Sequence, residues 1–282
     1  TKHPTSSMTH DPLSNPAAST HIQAVFDSQL NTALKLRTSI ARERIAKIRK
    51  LRDAILARTD TLYEAAHADF RKPPGEVDVA ELLPVCAEAN DAIRHLKKWM
   101  KPTRVWPTLL TAGTRSQVQY QPRGRCLIIS PWNYPVNLTF GPLISAIAAG
   151  NTAIVKPSEM TPHLSAWISA LIQEVFTPDE IAVFQGEADV AQTLLNLPFD
   201  HIFFTGSPGI GKQVMAAAAK HLASVTLELG GKSPTVIDAS ADIPMAAQNV
   251  MWAKYANAGR NRQSRQCPHP ELKPKYLRAR QC

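Results

Sequence analysis

Residues 201–232 read HIFFTGSPGIGKQVMAAAAKHLASVTLELGGK. A short apolar run, HIFF, ends in the glycine-rich turn Thr205-Gly206-Ser207-Pro208-Gly209-Ile210-Gly211. An alanine-rich helical stretch follows, and then a second apolar run, VTLEL, which stops at Gly230-Gly231. Strand, helix and strand in that order describe one crossover of a parallel sheet. The same rhythm extends upstream through CLIIS (126–130), TAIV (152–155) and IAVF (181–184). Helical stretches at 142–149, 164–175, 187–195 and 211–221 separate the five runs. The expected fold class is therefore α/β: a Rossmann-like parallel five-stranded sheet covered on both faces. Such sheets take ligands beyond the carboxyl ends of their strands.

Upstream, apolar residues from about Ile22 to Met100 recur at helical spacing, with Leu36, Ile40, Ile48, Leu51, Ile55 and Leu62 along one stripe and basic residues opposite. KPPG (72–75) breaks this run, and Pro102 and Pro107 open a loop after a further helix. QVQYQ (117–121) alternates polar and apolar, as a half-exposed strand does. Residues 1–20, rich in Ser, Thr, Pro and His, are expected to be disordered. With 44% apolar residues and no long apolar run, the 282-residue chain reads as a globular protein without a membrane span. Four scattered cysteines without a CxxC pair suit neither a disulfide framework nor a zinc site, which points to a reducing, cytoplasmic setting. Six of the nine net positive charges fall in residues 260–282, so charge is no argument for a nucleic-acid-binding fold.

The residues just after each run are the candidates for chemistry. Pro131-Trp132-Asn133 follows the first, placing an asparagine amide at a strand tip; alone it is an ordinary turn residue. Lys156 and Glu159 follow the second and can hold ribose hydroxyls, the carboxylate disfavouring a 2′-phosphate. Gly206, Ser207 and Gly211 form a turn that lets backbone approach a diphosphate at a helix N-terminus. The turn nearly matches the nucleotide triphosphatase loop, but Gln213 stands where a magnesium-binding hydroxyl is required. Glu228, beside two glycines, can act as a general base. No metal site is apparent.

Taken together, PWNYP, GNTAIVKPSE, FFTGSPGIGK and VTLELGGKSP resemble the aldehyde dehydrogenase superfamily, in the style of its class 3, fatty-aldehyde and coniferyl-aldehyde branch. The resemblance implies NAD, or NADP, as cofactor and an aromatic or long-chain aldehyde as substrate. It implies a helical region over 21–114 packing on the cofactor domain, part of an oligomerisation hairpin at 115–124, a cofactor domain at 125–229 and the start of a catalytic domain at 230–259. It also implies a homodimer. By position, Asn133 would donate to an oxyanion and Glu228 would activate water that cleaves a cysteine thioester. Pro131 and Trp132 would line the nicotinamide side, Lys156 and Glu159 the ribose, and Gly206, Ser207 and Gly211 the diphosphate.

MWAKYANAG (251–259) matches the helix that leads into the family's nucleophile within N-A-G-Q-T-C, but here Asn257-Ala258-Gly259 runs on into Arg260-Asn261-Arg262. Arg262 occupies the cysteine slot, stays protonated and cannot attack a carbonyl. Cys267 lies five residues later. From this the second domain is expected to be incomplete, the 260–282 segment to be an aberrant basic tail without regular structure, as a frame shift after Gly259 would produce, and the chain to be inactive. The alternative is a non-catalytic NAD-binding fragment.

Overall fold

A computed structural model describes residues 16–231, 235–238, 240–260, 266–268 and 277–281, the last two segments as backbone. The N-terminal region is helical: α1 (Pro16–Leu36), α2 (Ala41–Ala57), α3 (Thr59–Phe70), a short α4 (Pro74–Val77) and α5 (Leu83–Trp99), with a π turn at Asp78–Leu82 between the last two. The first helix starts inside the stretch expected to be disordered; residues 1–15 lie outside the described residues. The continuous helical pattern is also cut where periodicity gave no sign. Thr38 and Ser39 turn their hydroxyls back onto the carbonyls of Lys35 and Leu36, and the Ile40 N–H restarts the next helix on the Glu43 carboxylate at 3.0 Å. At the expected KPPG break, Arg71 adopts a left-handed conformation and Pro74 opens α4.

A two-stranded ribbon follows, β1 (Thr103–Val105) antiparallel to β2 (Ser116–Val118). The strand foreseen at 117–121 is thus shorter, and its partner lies in the segment read as a loop. Then come β3 (Arg125–Ile129), α6 (Asn137–Ala149), β4 (Thr152–Lys156), α7 (Pro162–Val175), β5 (Ile181–Val183), α8 (Ala188–Leu195), β6 (His201–Gly206), α9 (Pro208–Ala219) and β7 (Ser224–Leu229). The five strands β3 to β7 form one parallel sheet in the order β5-β4-β3-β6-β7. Alternation along β3 splits the core. Ile128 packs with Phe140 and Leu143 of α6 and with the buried stripe of α2, while Leu127 and Ile129 pack with Phe26, Leu194 and Val214 under α1, α8 and α9.

Beyond β7 lie β8 (Val236–Ile237), α10 (Ile243–Tyr255), β9 (Gln266–Pro268) and β10 (Leu277–Gln281). β10 pairs antiparallel with both β8 and β9, which corrects the expectation of a tail without regular structure. LRAR at 277–280 alternates apolar and basic residues, a period-two signal too short to stand out. No side chain of α10 is buried, and Trp252 is 77% exposed.

Helix α6 follows the Pro131–Pro135 loop directly, and buried charges hold both its ends. Glu81 accepts the Asn137 N–H at 2.9 Å, and Arg44 donates to the Ala148 carbonyl at 3.0 Å. The helix stops at Gly150, whose φ of +85° is left-handed and whose missing Cβ would lie 2.5 Å from the Arg44 guanidinium. Gly150→Ala is expected to destabilise the fold by about 2 kcal/mol, read as a lower urea midpoint at unchanged slope.

Candidate active site

A cleft of 1420 Å³ opens at the carboxyl ends of β3, β4, β6 and β7. Pro131, Trp132, Asn133, Lys156, Glu159, Gly206, Ser207 and Glu228 all line it. Parallel strands emerge on one edge of the sheet, which is why loops distant in sequence meet there. Gly211 does not line the cleft. It sits in the first turn of α9, where a Cβ would come within 2.7 Å of Leu229, so its smallness serves helix-on-strand packing. Gly206 is the last residue of β6 and is closed in by the Phe204 ring at 2.5 Å from its would-be Cβ. Ser207 caps α9, its hydroxyl accepting the Ile210 N–H at 3.4 Å. Lys212 is exposed and is not among the cleft-lining residues.

Lys156, Glu159 and Asn133 have partners within the protein. The Lys156 ammonium, 5% exposed, lies 2.6 Å from the Glu159 carboxylate. Partial burial pushes the Glu159 carboxyl up, but the hydrogen bond and charge of Lys156 outweigh it and hold the group below the ordinary carboxylate range. The pair expected to grip a ribose therefore grips itself and would open toward a ligand. The Asn133 amide is likewise engaged, donating to the Arg260 carbonyl at 3.5 Å, a long contact that a better acceptor can displace. Glu228 stands exposed on β7 at the cleft wall.

Cys126 also reaches the cleft wall, from the buried side of β3. Burial, then the charge of Asp200, pushes its thiol up to about 12, so it stays protonated and non-nucleophilic near neutrality. Cys86, half-buried on α5, is pushed up by burial as well. Arg262 and the Cys267 side chain lie outside the described residues. Among the described residues no cluster of three or more His, Cys, Asp or Glu could hold a metal.

Around Asn133 the structure adds groups that residue-by-residue reading passed over. Lys72 and Glu81 form a fully buried ion pair at 3.1 Å, and the Lys72 ammonium lies 5.4 Å from the centre of the Tyr134 ring. Glu81 is pushed up by burial, against the pull of Lys72 and of backbone donors at the start of α6. Asn257, buried in the turn (Ala256–Gly259) that follows α10, donates its side-chain amide to the Asn133 carbonyl at 2.7 Å. Their separations in sequence, 9 residues for the ion pair and 124 for the asparagines, leave no local signal for either contact.

Residues 9–264 match the model of the aldehyde dehydrogenase family. The chain is 45% identical over 238 residues to the AldX protein of Bacillus subtilis, covering 84% of this chain and 53% of that one. It is 40% identical over 239 residues to a Pseudomonas aeruginosa protein named as a coniferyl aldehyde dehydrogenase, covering 84% and 50%. In structure it is similar to substrate-bound AldH of Staphylococcus aureus, with a TM-score of 0.82, 40% identity and coverage of 85% and 52%. It is also similar to PnpE in complex with nicotinamide adenine dinucleotide, with a TM-score of 0.77, 27% identity and coverage of 86% and 49%. The chain spans about half the length of the curated relatives it matches.

The Lys156–Glu159 pair sets a pH dependence. A carboxylate whose folded pKa is depressed adds stability above its unfolded value, about 4.3, and loses it as pH falls through the lower folded value. The gap in Tm between the wild type and Glu159→Gln is expected at pH ~7 and should close below pH ~4, as followed by circular dichroism.

Proposed function

The chain belongs to the aldehyde dehydrogenase family, and on that premise we propose that its cleft binds NAD and is laid out for oxidising an aldehyde to the carboxylic acid. The carrying observation is that four loops from different strands bring an amide, a carboxylate, a buried ammonium and a helix N-terminus to one cleft. The residues fit a dinucleotide. The N-terminal N–H groups of α9 favour a diphosphate, Lys156 and Glu159 suit ribose hydroxyls, and the buried hydroxyls of Ser130 and Thr205 at the cleft wall have no partner among the described residues. NAD is favoured over NADP because a 2′-phosphate would meet the Glu159 carboxylate. When bound, the cofactor supplies a hydride acceptor.

The roles of the chain's own groups follow from their chemistry. Were a cysteine thiolate to add to the aldehyde carbonyl, the Asn133 amide would donate to the oxygen that takes up the negative charge, exchanging the weak Arg260 contact for a charge-assisted one. Glu228, in contact with solvent, would take a proton from the water that cleaves the resulting thioester and releases the acid. Trp132 and Pro131 present apolar surface to a planar ring. The substrate class is an aromatic aldehyde such as coniferaldehyde, or a long-chain aliphatic one, by analogy with the Pseudomonas relative. With Arg262 in the motif position of the nucleophilic cysteine, this chain would hold dinucleotide without turning aldehyde over. The free thiols of Cys86 and Cys126 suit the reducing cytoplasm as its setting.

Titration calorimetry with NAD, alongside the absorbance of NADH in the presence of coniferaldehyde, tests this. Binding heat without NADH is expected. NADP should bind more weakly, and Lys156→Met should weaken NAD roughly tenfold. Absence of binding heat overturns the dinucleotide reading, and accumulation of NADH overturns the loss of turnover.

A further inference from the structure

The segment after α10 turns back on itself in a costly way. Asn257, Ala258 and Gly259 have φ of 57°, 50° and 76°, three consecutive left-handed residues of which only one is glycine. Asparagine tolerates that region and alanine does not, so contacts must hold the turn in place. The Asn257 N–H donates to the Glu76 carboxylate, on the short helix α4. The Asn257 side chain donates to the Asn133 carbonyl at 2.7 Å. The Arg260 guanidinium stacks over the Phe70 ring with its carbon 4.4 Å from the ring centre, and its carbonyl accepts the Asn133 amide. Asn257 is 2% exposed although the helix before it, α10, has no buried side chain.

We propose that Asn257 is a positioning residue for Asn133: anchored through its own backbone to Glu76, it fixes the Asn133 peptide so that the side-chain amide points into the cleft. This rests on the reading of Asn133 as the oxyanion donor. Asn133 follows two residues that leave the sheet and precedes Pro135, so no strand or helix hydrogen bond orients its carbonyl. A donor on a buried side chain, whose own backbone N–H is held by Glu76, supplies that missing constraint. Without it, the amide samples several orientations and its preorganisation is lost. Only a residue that accepts a left-handed backbone and carries a short donor can do this, and asparagine satisfies both conditions.

Nuclear magnetic resonance of the whole chain, isotope-labelled at asparagine nitrogen, tests the assignment; Asn133→Asp identifies the Asn133 side-chain signals by their disappearance. Asn257→Gly keeps the left-handed backbone and removes the donor. Asn257→Asp keeps the shape and exchanges the donor for an acceptor. Either variant that retains a cooperative melt is expected to shift the Asn133 side-chain signals and to speed their hydrogen exchange roughly tenfold, as loss of one fixing hydrogen bond implies. Glu76→Gln, which weakens the anchor, should move the same signals less. Unchanged Asn133 signals in a folded Asn257 variant overturn the proposal. NAD titration of the same samples reads the cofactor assignment separately, since failure to bind NAD with the Asn133 shift intact sinks that assignment and leaves the positioning role standing.

Discussion

Helix α6 runs between two buried charges of opposite sign, and the cleft depends on that arrangement. Glu81 meets its N-terminal N–H groups and Arg44 its C-terminal carbonyls, each charge opposite the end of the helix dipole that favours it. Both come from the helical region, and both are almost completely removed from water. Burying a charge is costly unless it is paired, and here each finds several partners. Glu81 has Lys72 and backbone donors, and Arg44 bonds Ser39 and the carbonyls of Leu36, Ser39 and Ala148. Because the Pro131–Pro135 loop feeds directly into α6, locking the helix along its axis locks the exit of β3. The N-terminal helices are therefore more than a cover for the sheet.

The same economy runs through the glycine turn. Gly206 and Gly211 are small because Phe204 and Leu229 press against them, which draws β6, α9 and β7 together and brings the start of α9 to the strand ends. A helix N-terminus there attracts negative charge whether or not a glycine touches the ligand. Packing and anion binding ask for the same residues, which is why a motif match alone cannot tell which of the two a given glycine serves.

The part beyond β7 has a different character. Helix α10 leaves Met251, Trp252 and Tyr255 more than half exposed, and only the turn at its end enters the interior, at Asn257. The contacts that end makes are polar and reach Glu76 and Asn133, not a shared apolar core. Polar contacts of this kind position a group more than they stabilise a fold, since their net contribution is small and their geometry is strict.

Strand and helix existence was legible from local pattern: short apolar runs in CLIIS and HIFF, helical spacing in α2, and punctuation at KPPG and Gly230-Gly231 are written in near neighbours. That Asn133, Lys156, Glu159 and Glu228 stand together at one edge of the sheet was legible too, because each lies at or just past the end of an apolar run and parallel strands end on the same edge. Tertiary structure alone decided the rest. It set the order β5-β4-β3-β6-β7, moved Gly211 from ligand contact to packing, and closed Lys156 onto Glu159. It also brought Asn257 to Asn133 and to Glu76, across 124 and 181 residues. Period and turn chemistry act over a few residues, whereas a buried polar atom must find a partner wherever the folded chain provides one. That search is settled only when the whole interior is assembled.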